Sequence, residues 1–345
     1  MKKLLTDYDK TSLAAELAPL GAERYRAEQI YGWINRGADF PEMSNVPKAL
    51  RGRLAEEYDA VGAAIIKEAV SRDGTVKFLF RLRDGSLIEG VLMKYKYGYT
   101  MCVSTQVGCR MGCAFCASGK DGLFRNLTAG EMLGEVICAN SYLEKKDPGA
   151  RVGNVVLMGS GEPLDNYENV TAFIRLLTEG QGVGQRGISL STCGLTGNIT
   201  RLADDGFSVT LCISLHSPFD DKRVRVMPSG RSYKISDIIA AAKYYFEKSR
   251  RRIIFEYAMM RGFNISAADA KALAGLAKNF PCHVNLIPLN ETGSALAGVN
   301  RREADGFLKM LAGLGVSATI RRSLGEDIEG ACGQLKRKYT ENNGG

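Results

Sequence analysis

The sequence predicts an α/β core of parallel strands behind a small helical N-terminal domain, and three observations carry that reading. From about residue 100 to about 320, short β-rich runs alternate with longer helical patterns, the rhythm of parallel strands joined by crossover helices. Residues 1–60 instead have the apolar spacing of short helices. Between these regions, two apolar strand-like runs flank a tight-turn dipeptide.

In chain order, residues 1–60 put Tyr25, Ile30, Trp33 and Ile34 on one plausible helical face, punctuated by Pro41, Asn45 and Pro47. In residues 61–97, Lys77–Arg83 and Leu87–Met93 flank Asp84-Gly85 and predict a β-hairpin linker. The core, 98–322, has strands expected near 101–105, 153–158, 187–191, 208–214, 252–258 and 283–287, with a seventh near 317–321. Such a series could close as a barrel or stay open as a doubly wound sheet, and pattern alone does not choose. Either way the ligand-binding loops follow the C-terminal ends of strands, where the polar motifs of this chain fall. Residues 323–345 form a C-terminal segment whose last part, Lys336–Gly345, lacks apolar content and is expected to fray.

Composition excludes a membrane protein of the helical kind: hydrophobic residues are 45%, charged residues 24%, and no apolar run approaches a bilayer span. Asp7 and Asp9 interrupt the N-terminus before an apolar signal region develops, so a cytoplasmic location is expected. Nine cysteines, an odd number without a signal peptide, suggest thiols, metal ligands or catalysts instead of a disulfide framework. A net charge of +8 favours an anionic partner, with Lys248, Arg250, Arg251 and Arg252 the densest basic cluster.

Cys109, Cys113 and Cys116 form a C-x3-C-x2-C cluster just after the first core strand, with Gly108 and Gly112 freeing the backbone to wrap a ligand. A structural zinc normally takes four closed ligands, whereas three cysteines suit a 4Fe-4S cluster with one open iron. The spacing, with Phe115 before the last cysteine, resembles the signature of the radical S-adenosylmethionine (SAM) superfamily. In that superfamily SAM chelates the open iron and is cleaved to a 5′-deoxyadenosyl radical. Gly159-Ser160-Gly161-Glu162-Pro163, at the end of the second strand, is similar to the superfamily's Gly-Glu-Pro motif for the amino group of SAM.

Later strand ends carry Ser191-Thr192-Cys193-Gly194, Ser214-Leu215-His216 and Asn285–Asn290. The set in order, with Tyr25–Ile30, Arg251–Tyr257 and Ala331-Cys332-Gly333-Gln334-Leu335, resembles the RlmN/Cfr family of RNA methyltransferases over nearly the whole chain. That resemblance implies a partial (β/α)6 radical SAM barrel, with the helical N-terminal domain contacting RNA. It implies SAM contacts at Gly161, Glu162, Ser191, Ser214, Leu215, His216 and Asn290, and one 4Fe-4S cluster on Cys109, Cys113 and Cys116. The chain departs from the commoner family pattern at Ser160 and Cys193.

The resemblance further implies methylation of adenine carbon 2 in 23S rRNA and tRNA, with two SAM molecules per turnover. Carbon 2 is electron-poor and has no lone pair to attack a sulfonium methyl, so a radical route is needed. Cys332 would carry the methyl group, Glu89 would take the ring proton, and Cys102 would resolve the RNA–protein adduct by forming a disulfide with Cys332. An electron donor such as flavodoxin, a thiol reductant to reset the disulfide, and a monomeric state are expected. Cys138, Cys193, Cys212 and Cys282 read as structural. The alternatives are a Cfr-like enzyme acting on carbon 8, and a non-enzymatic RNA-binding protein with a structural zinc.

Overall fold

A computed structural model describes residues 2–120, 122–289, 296–322 and 324–328. Its N-terminal part holds α1 (Lys10–Leu17), α2 (Arg24–Ile34) and α3 (Lys48–Glu57), with β1 (Lys3–Leu4) pairing in parallel with β2 (Tyr58–Asp59). These helices enclose a core of their own, in which Leu5, Leu13, Leu17, Ile30, Ile34 and Leu54 are fully buried. Tyr25 does not join it and is 47% exposed. The buried stripe of α2 is Ala27, Ile30, Tyr31 and Ile34. Tyr25 lies five residues before Ile30, about 140° away around the helix, and stacks instead under the Arg26 guanidinium.

The linker region contributes three antiparallel strands, β3 (Ala63–Val70), β4 (Val76–Leu82) and β5 (Leu87–Tyr95). The expected Asp84-Gly85 turn joins the last two, with Gly85 at φ +84°. The sequence reading left out β3, whose charged, half-exposed pattern is that of a sheet edge. β5 pairs antiparallel with β6 (Gly98–Cys102), so the linker is hydrogen-bonded into the core sheet. The small hairpin β7 (Gln106–Gly108) and β8 (Leu123–Asn126) then brackets the cysteine loop.

The core continues through α4 (Ala129–Lys146), β9 (Val152–Leu157), α5 (Tyr167–Gln181), β10 (Ile188–Thr192), α6 (Thr196–Asp204), β11 (Thr210–Ser214), α7 (Asp220–Val226), α8 (Ile235–Ser249), β12 (Ile253–Met259), α9 (Ala267–Ala277), β13 (Cys282–Pro288), α10 (Arg301–Gly313) and β14 (Ala318–Ile320). The ten-stranded sheet runs β14-β13-β12-β11-β10-β9-β6-β5-β4-β3, and every pairing from β6 to β14 is parallel. Among the described residues β14 and β6 do not pair, so the barrel is partial. Leu190, Ile213 and Phe255 face the helices in one continuous core. The alternate positions, Ser191, Ser214 and Glu256, therefore face the lumen.

The first crossover helix, α4, starts from a capping box of Thr128 and Glu131. Its first turn also grips the N-terminal domain. Gly130 N–H donates to Asp7 Oδ1 at 2.6 Å and its carbonyl accepts from Thr6 Oγ1 at 3.1 Å. A Cβ on Gly130 would sit 2.6 Å from Asp7 N, so only glycine permits this approach.

Candidate active site

Strand β6 ends at Cys102, and the chain then turns through the cysteine loop over the C-terminal rim of the barrel. Gly108 (φ +81°) makes the turn, where a Cβ would lie 2.0 Å from the Gly122 carbonyl oxygen. Cys109 N–H donates to that same oxygen at 2.9 Å, and Ala114 N–H donates to Val226 O at the end of α7. All three loop thiols are free, Cys109 buried and Cys113 and Cys116 half-buried. Burial, reinforced by the neighbouring Cys116, pushes the Cys109 thiol up to about 11. Burial, then Cys116 and Cys109, pushes Cys113 to about 12. The thiols thus sense one another and need a cationic centre to ionise.

Among the described residues, no three His, Cys, Asp or Glu side chains converge as the ligand set of one metal ion. A four-iron cubane, by contrast, takes its thiolates at separate corners. Three soft donors on one glycine-hinged loop suit that group, and leave one iron for another ligand.

Strand β9 delivers the second motif against this loop. Ser160 O accepts from Thr105 N at 2.8 Å and Gln106 N at 3.1 Å, and Gly161 (φ +113°) approaches so closely that a Cβ would lie 2.6 Å from Thr105 Oγ1. Glu162 is 4% exposed, and its carboxylate is turned into the protein. One oxygen accepts from Cys193 N at 2.7 Å and the other from Leu164 N at 3.1 Å. Burial raises its pKa. It ties the β9 and β10 loops together.

Ser191 and Ser214 meet in the lumen with their hydroxyl oxygens 3.3 Å apart. Leu215 is fully buried, and its backbone is held by Glu256 O. His216 has left-handed backbone (φ +55°), and its Nδ1 accepts from Ala258 N at 2.9 Å. That bond leaves the proton on Nε2. Phe115 of the cysteine loop packs edge-on against the ring, 4.8 Å between centroids. Burial first, then Arg223, lowers the imidazole pKa to about 3, so the ring is neutral.

Glu89, on β5, is 3.1 Å from Lys77 on β4, and both side chains are almost fully buried. Lys77, Val91 and Cys102 occupy one row across β4, β5 and β6, and Glu89, two positions before Val91, faces the same way. Cys102 is buried against Val91 and Met93, with Leu324 of the C-terminal segment packed on them. That segment is pinned to the β3–β4 turn, where Gly325 N donates to Asp73 Oδ2 at 3.0 Å and Asp327 accepts from Ser71 Oγ and Arg72 N. Asn290 and Cys332 lie outside the described residues.

Sequence reasoning missed three buried polar groups here. Lys77 reads as an ordinary strand lysine, although it shares a strand face with apolar Leu79. Arg223 hides in the charged run Asp220-Asp221-Lys222-Arg223, which reads as a solvated helix face. Glu256 is 3% exposed, bonded to Asn285 at one oxygen and to nothing at the other among the described residues.

Two family models match: the radical SAM superfamily over residues 103–273, and the ribosomal RNA large subunit methyltransferase N-terminal domain over residues 4–59. The chain is 47% identical over 350 residues to a probable dual-specificity RNA methyltransferase RlmN of Clostridium perfringens (strain SM101 / Type A), covering 100% of this chain and 99% of that one. It is 45% identical over 335 residues to the protein of the same description from Lachnoclostridium phytofermentans, covering 95% and 93%. A radical SAM methyltransferase from Sphaerobacter thermophilus superposes with a TM-score of 0.92 at 43% identity, over 96% of this chain and 98% of that one. This full-length similarity to methyltransferases overturns the reading as a non-enzymatic zinc protein.

Proposed function

Since the chain belongs to the RlmN family of radical SAM RNA methyltransferases, we propose that it methylates carbon 2 of an adenosine in the peptidyl-transferase centre of 23S rRNA and of the adenosine 3′ of the anticodon in tRNAs. The observation that carries this reading is the placement of Glu89 and Cys102 on one lumen face, immediately before a loop of three free thiols. Cys109, Cys113 and Cys116 would hold a 4Fe-4S cluster, which would supply the electron that cleaves SAM to a 5′-deoxyadenosyl radical, while a second SAM would supply the methyl group.

The chain's own residues do the rest. Cys332 accepts the methyl by displacement at the sulfonium, with S-adenosylhomocysteine leaving. Its S-methyl group gives a hydrogen atom to the 5′-deoxyadenosyl radical, and the resulting carbon radical adds to carbon 2, the adduct giving up one electron to the electron carrier. Glu89 takes the ring proton. The Cys102 thiolate then attacks Cys332 sulfur, the carbon–sulfur bond breaks as the bridging methylene takes up a proton to release methylated base, and a disulfide remains for an external thiol to reduce. The anchored segment supports this pairing. Leu324 packs on the Val91, Met93 and Cys102 cluster, and Gly325 and Asp327 fasten the segment to the β3–β4 turn on the approach to Cys332.

Gly161, Glu162, Ser191, Ser214, Leu215, His216 and Asn290 bind SAM in this reading, and the Glu162 carboxylate also holds the β9 and β10 loops together. His216 offers a neutral Nε2–H donor. The helical N-terminal domain grips RNA, assisted by the net positive charge, and the target adenine leaves its stack to enter the lumen. A flavodoxin-type donor supplies electrons, and the enzyme works as a cytoplasmic monomer. Among the described residues no helix is long and apolar enough to cross a membrane.

The test is mass spectrometry of nucleosides from rRNA and tRNA incubated anaerobically with reconstituted enzyme, SAM and reductant. The expected product is 2-methyladenosine. Finding 8-methyladenosine alone would move the chain to carbon-8 chemistry, and unmodified RNA with intact SAM cleavage would refute the substrate.

A further inference from the structure

Arg223, on α7, is fully buried at 0% exposure. Among the described residues its guanidinium donates only to backbone carbonyls: Cys193 O at 2.5 Å, Leu215 O at 3.2 Å, and Ser214 O and Tyr233 O at 3.3 Å each. No described carboxylate pairs with it. Asp220, the acid that bears on it electrostatically, caps the start of α8 by accepting from Ile235 N at 3.0 Å. An arginine cannot shed its proton to escape burial, and a buried charge without a counter-ion is costly. Carbonyl dipoles solvate the cation but leave its charge uncancelled. A fold that keeps such a group has an anion to set against it.

The neighbours say which anion. The carbonyls of Cys193, Ser214 and Leu215 come from the ends of β10 and β11 at the lumen rim, and that of Tyr233 from the turn before α8. Helix α7 also touches the cysteine loop directly, through Ala114 N to Val226 O at 2.9 Å. Gly112 lies against Pro228, just past the same helix.

We propose that Arg223 is the built-in counter-cation of the cysteine loop: its guanidinium offsets the negative charge that three thiolates bring with their iron–sulfur cluster, and so raises the cluster's reduction potential. This rests on the reading of Cys109, Cys113 and Cys116 as cluster ligands. Reduction adds one electron, taken from an external one-electron donor, and with it one more negative charge. A fixed cation in a low-dielectric site stabilises the reduced state more than the oxidised one. Arg223 is thus a positioning and electrostatic residue.

Two substitutions separate charge from hydrogen bonding. R223K keeps the charge and gives up most of the fork of donors, whereas R223Q keeps an amide donor and loses the charge. Each is reconstituted as the full chain, assayed for iron and sulfide, and titrated electrochemically with the reduced cluster read by electron paramagnetic resonance. The proposal expects R223Q to have a more negative midpoint than wild type, or to lose iron where R223K retains it, with R223K near wild type. Equal midpoints in all three proteins overturn it. So does an equal shift or equal iron loss in both variants, which would assign Arg223 to bracing carbonyls alone. Should R223Q not fold by circular dichroism, R223M, similar in length and uncharged, takes its place in the same comparison: a midpoint more negative than those of wild type and R223K supports the proposal, and a midpoint equal to both refutes it. Failure of the cluster reading itself is seen separately, as wild type that takes up no iron and sulfide.

Discussion

Lys77 and Glu89 stand 3.1 Å apart on neighbouring strands, with almost none of either side chain in contact with solvent. Breaking such a pair from one side leaves a buried charge behind, at a cost of about 3–5 kcal/mol. Lys77→Met is therefore expected to lower unfolding free energy by that order in a urea titration. K77M combined with E89Q, which removes both charges, should recover a large part of it, and equal losses in the single and double variants would deny the coupling. His216 carries a different signature. Its folded pKa of about 3 lies below the ordinary 6.5 because burial penalises the charged ring. A depressed base binds fewer protons folded than unfolded, so its contribution is complete above pH 6.5 and is lost as pH falls toward 3, at up to about 1.4 kcal/mol per unit. His216→Asn should flatten the acid limb of apo-protein stability over that window, and an unchanged slope would refute the assignment. At this scale legibility followed locality. Cys109, Cys113 and Cys116 announce themselves because their partners lie within eight positions of sequence, whereas Lys77, Arg223 and Glu256 gain meaning only from strands and loops that the fold brings together.

The elements were easier to foresee than the side chains they bury. Strands β9 to β13 fall within a few residues of their expected places, because apolar runs with helices on one side and a lumen on the other keep a period of two. Strand β3 was missed since its exposed, charged positions break that period, and Tyr25 was misplaced because four apolar residues were fitted to a face that holds only some of them. The cysteine loop is the element on which the chemistry turns, and its weak point is Gly108. Alanine there would put a Cβ 2.0 Å from the Gly122 carbonyl oxygen at φ +81°, so both the backbone conformation and the space forbid it. Gly108→Ala is expected to fold its core strands normally yet take up little iron on reconstitution. Gly122→Ala, at φ +72° with nothing within 4 Å of the added carbon, carries only the backbone strain and should keep more. Equal iron in the two variants would mean that the loop adapts.

At the scale of the whole molecule, one sheet connects what the sequence separates into linker, core and C-terminal segment. The linker strands β4 and β5 carry Lys77, Glu89 and Val91 beside Cys102 on β6, and the segment approaching Cys332 is fastened to the β3–β4 turn by Asp73, Ser71 and Arg72. In the proposed cycle Cys102 acts only after the carbon–carbon bond has formed. Were it merely packing against Val91 and Met93, Cys102→Ala would cost a small cavity, about 1–2 kcal/mol, and leave the product unchanged. If it resolves the adduct, the variant should bind its cluster, cleave SAM and methylate Cys332, then stall with RNA covalently attached. Cys332→Ala should form no adduct, because it lacks the methyl carrier. A denaturing gel of each variant purified from cells, with and without ribonuclease, reads the difference as an RNA-dependent shift. A shift for Cys102→Ala alone is the expected result. Normal 2-methyladenosine from Cys102→Ala without any shift would return that cysteine to the barrel core, and the reset by a thiol reductant would lose its reason.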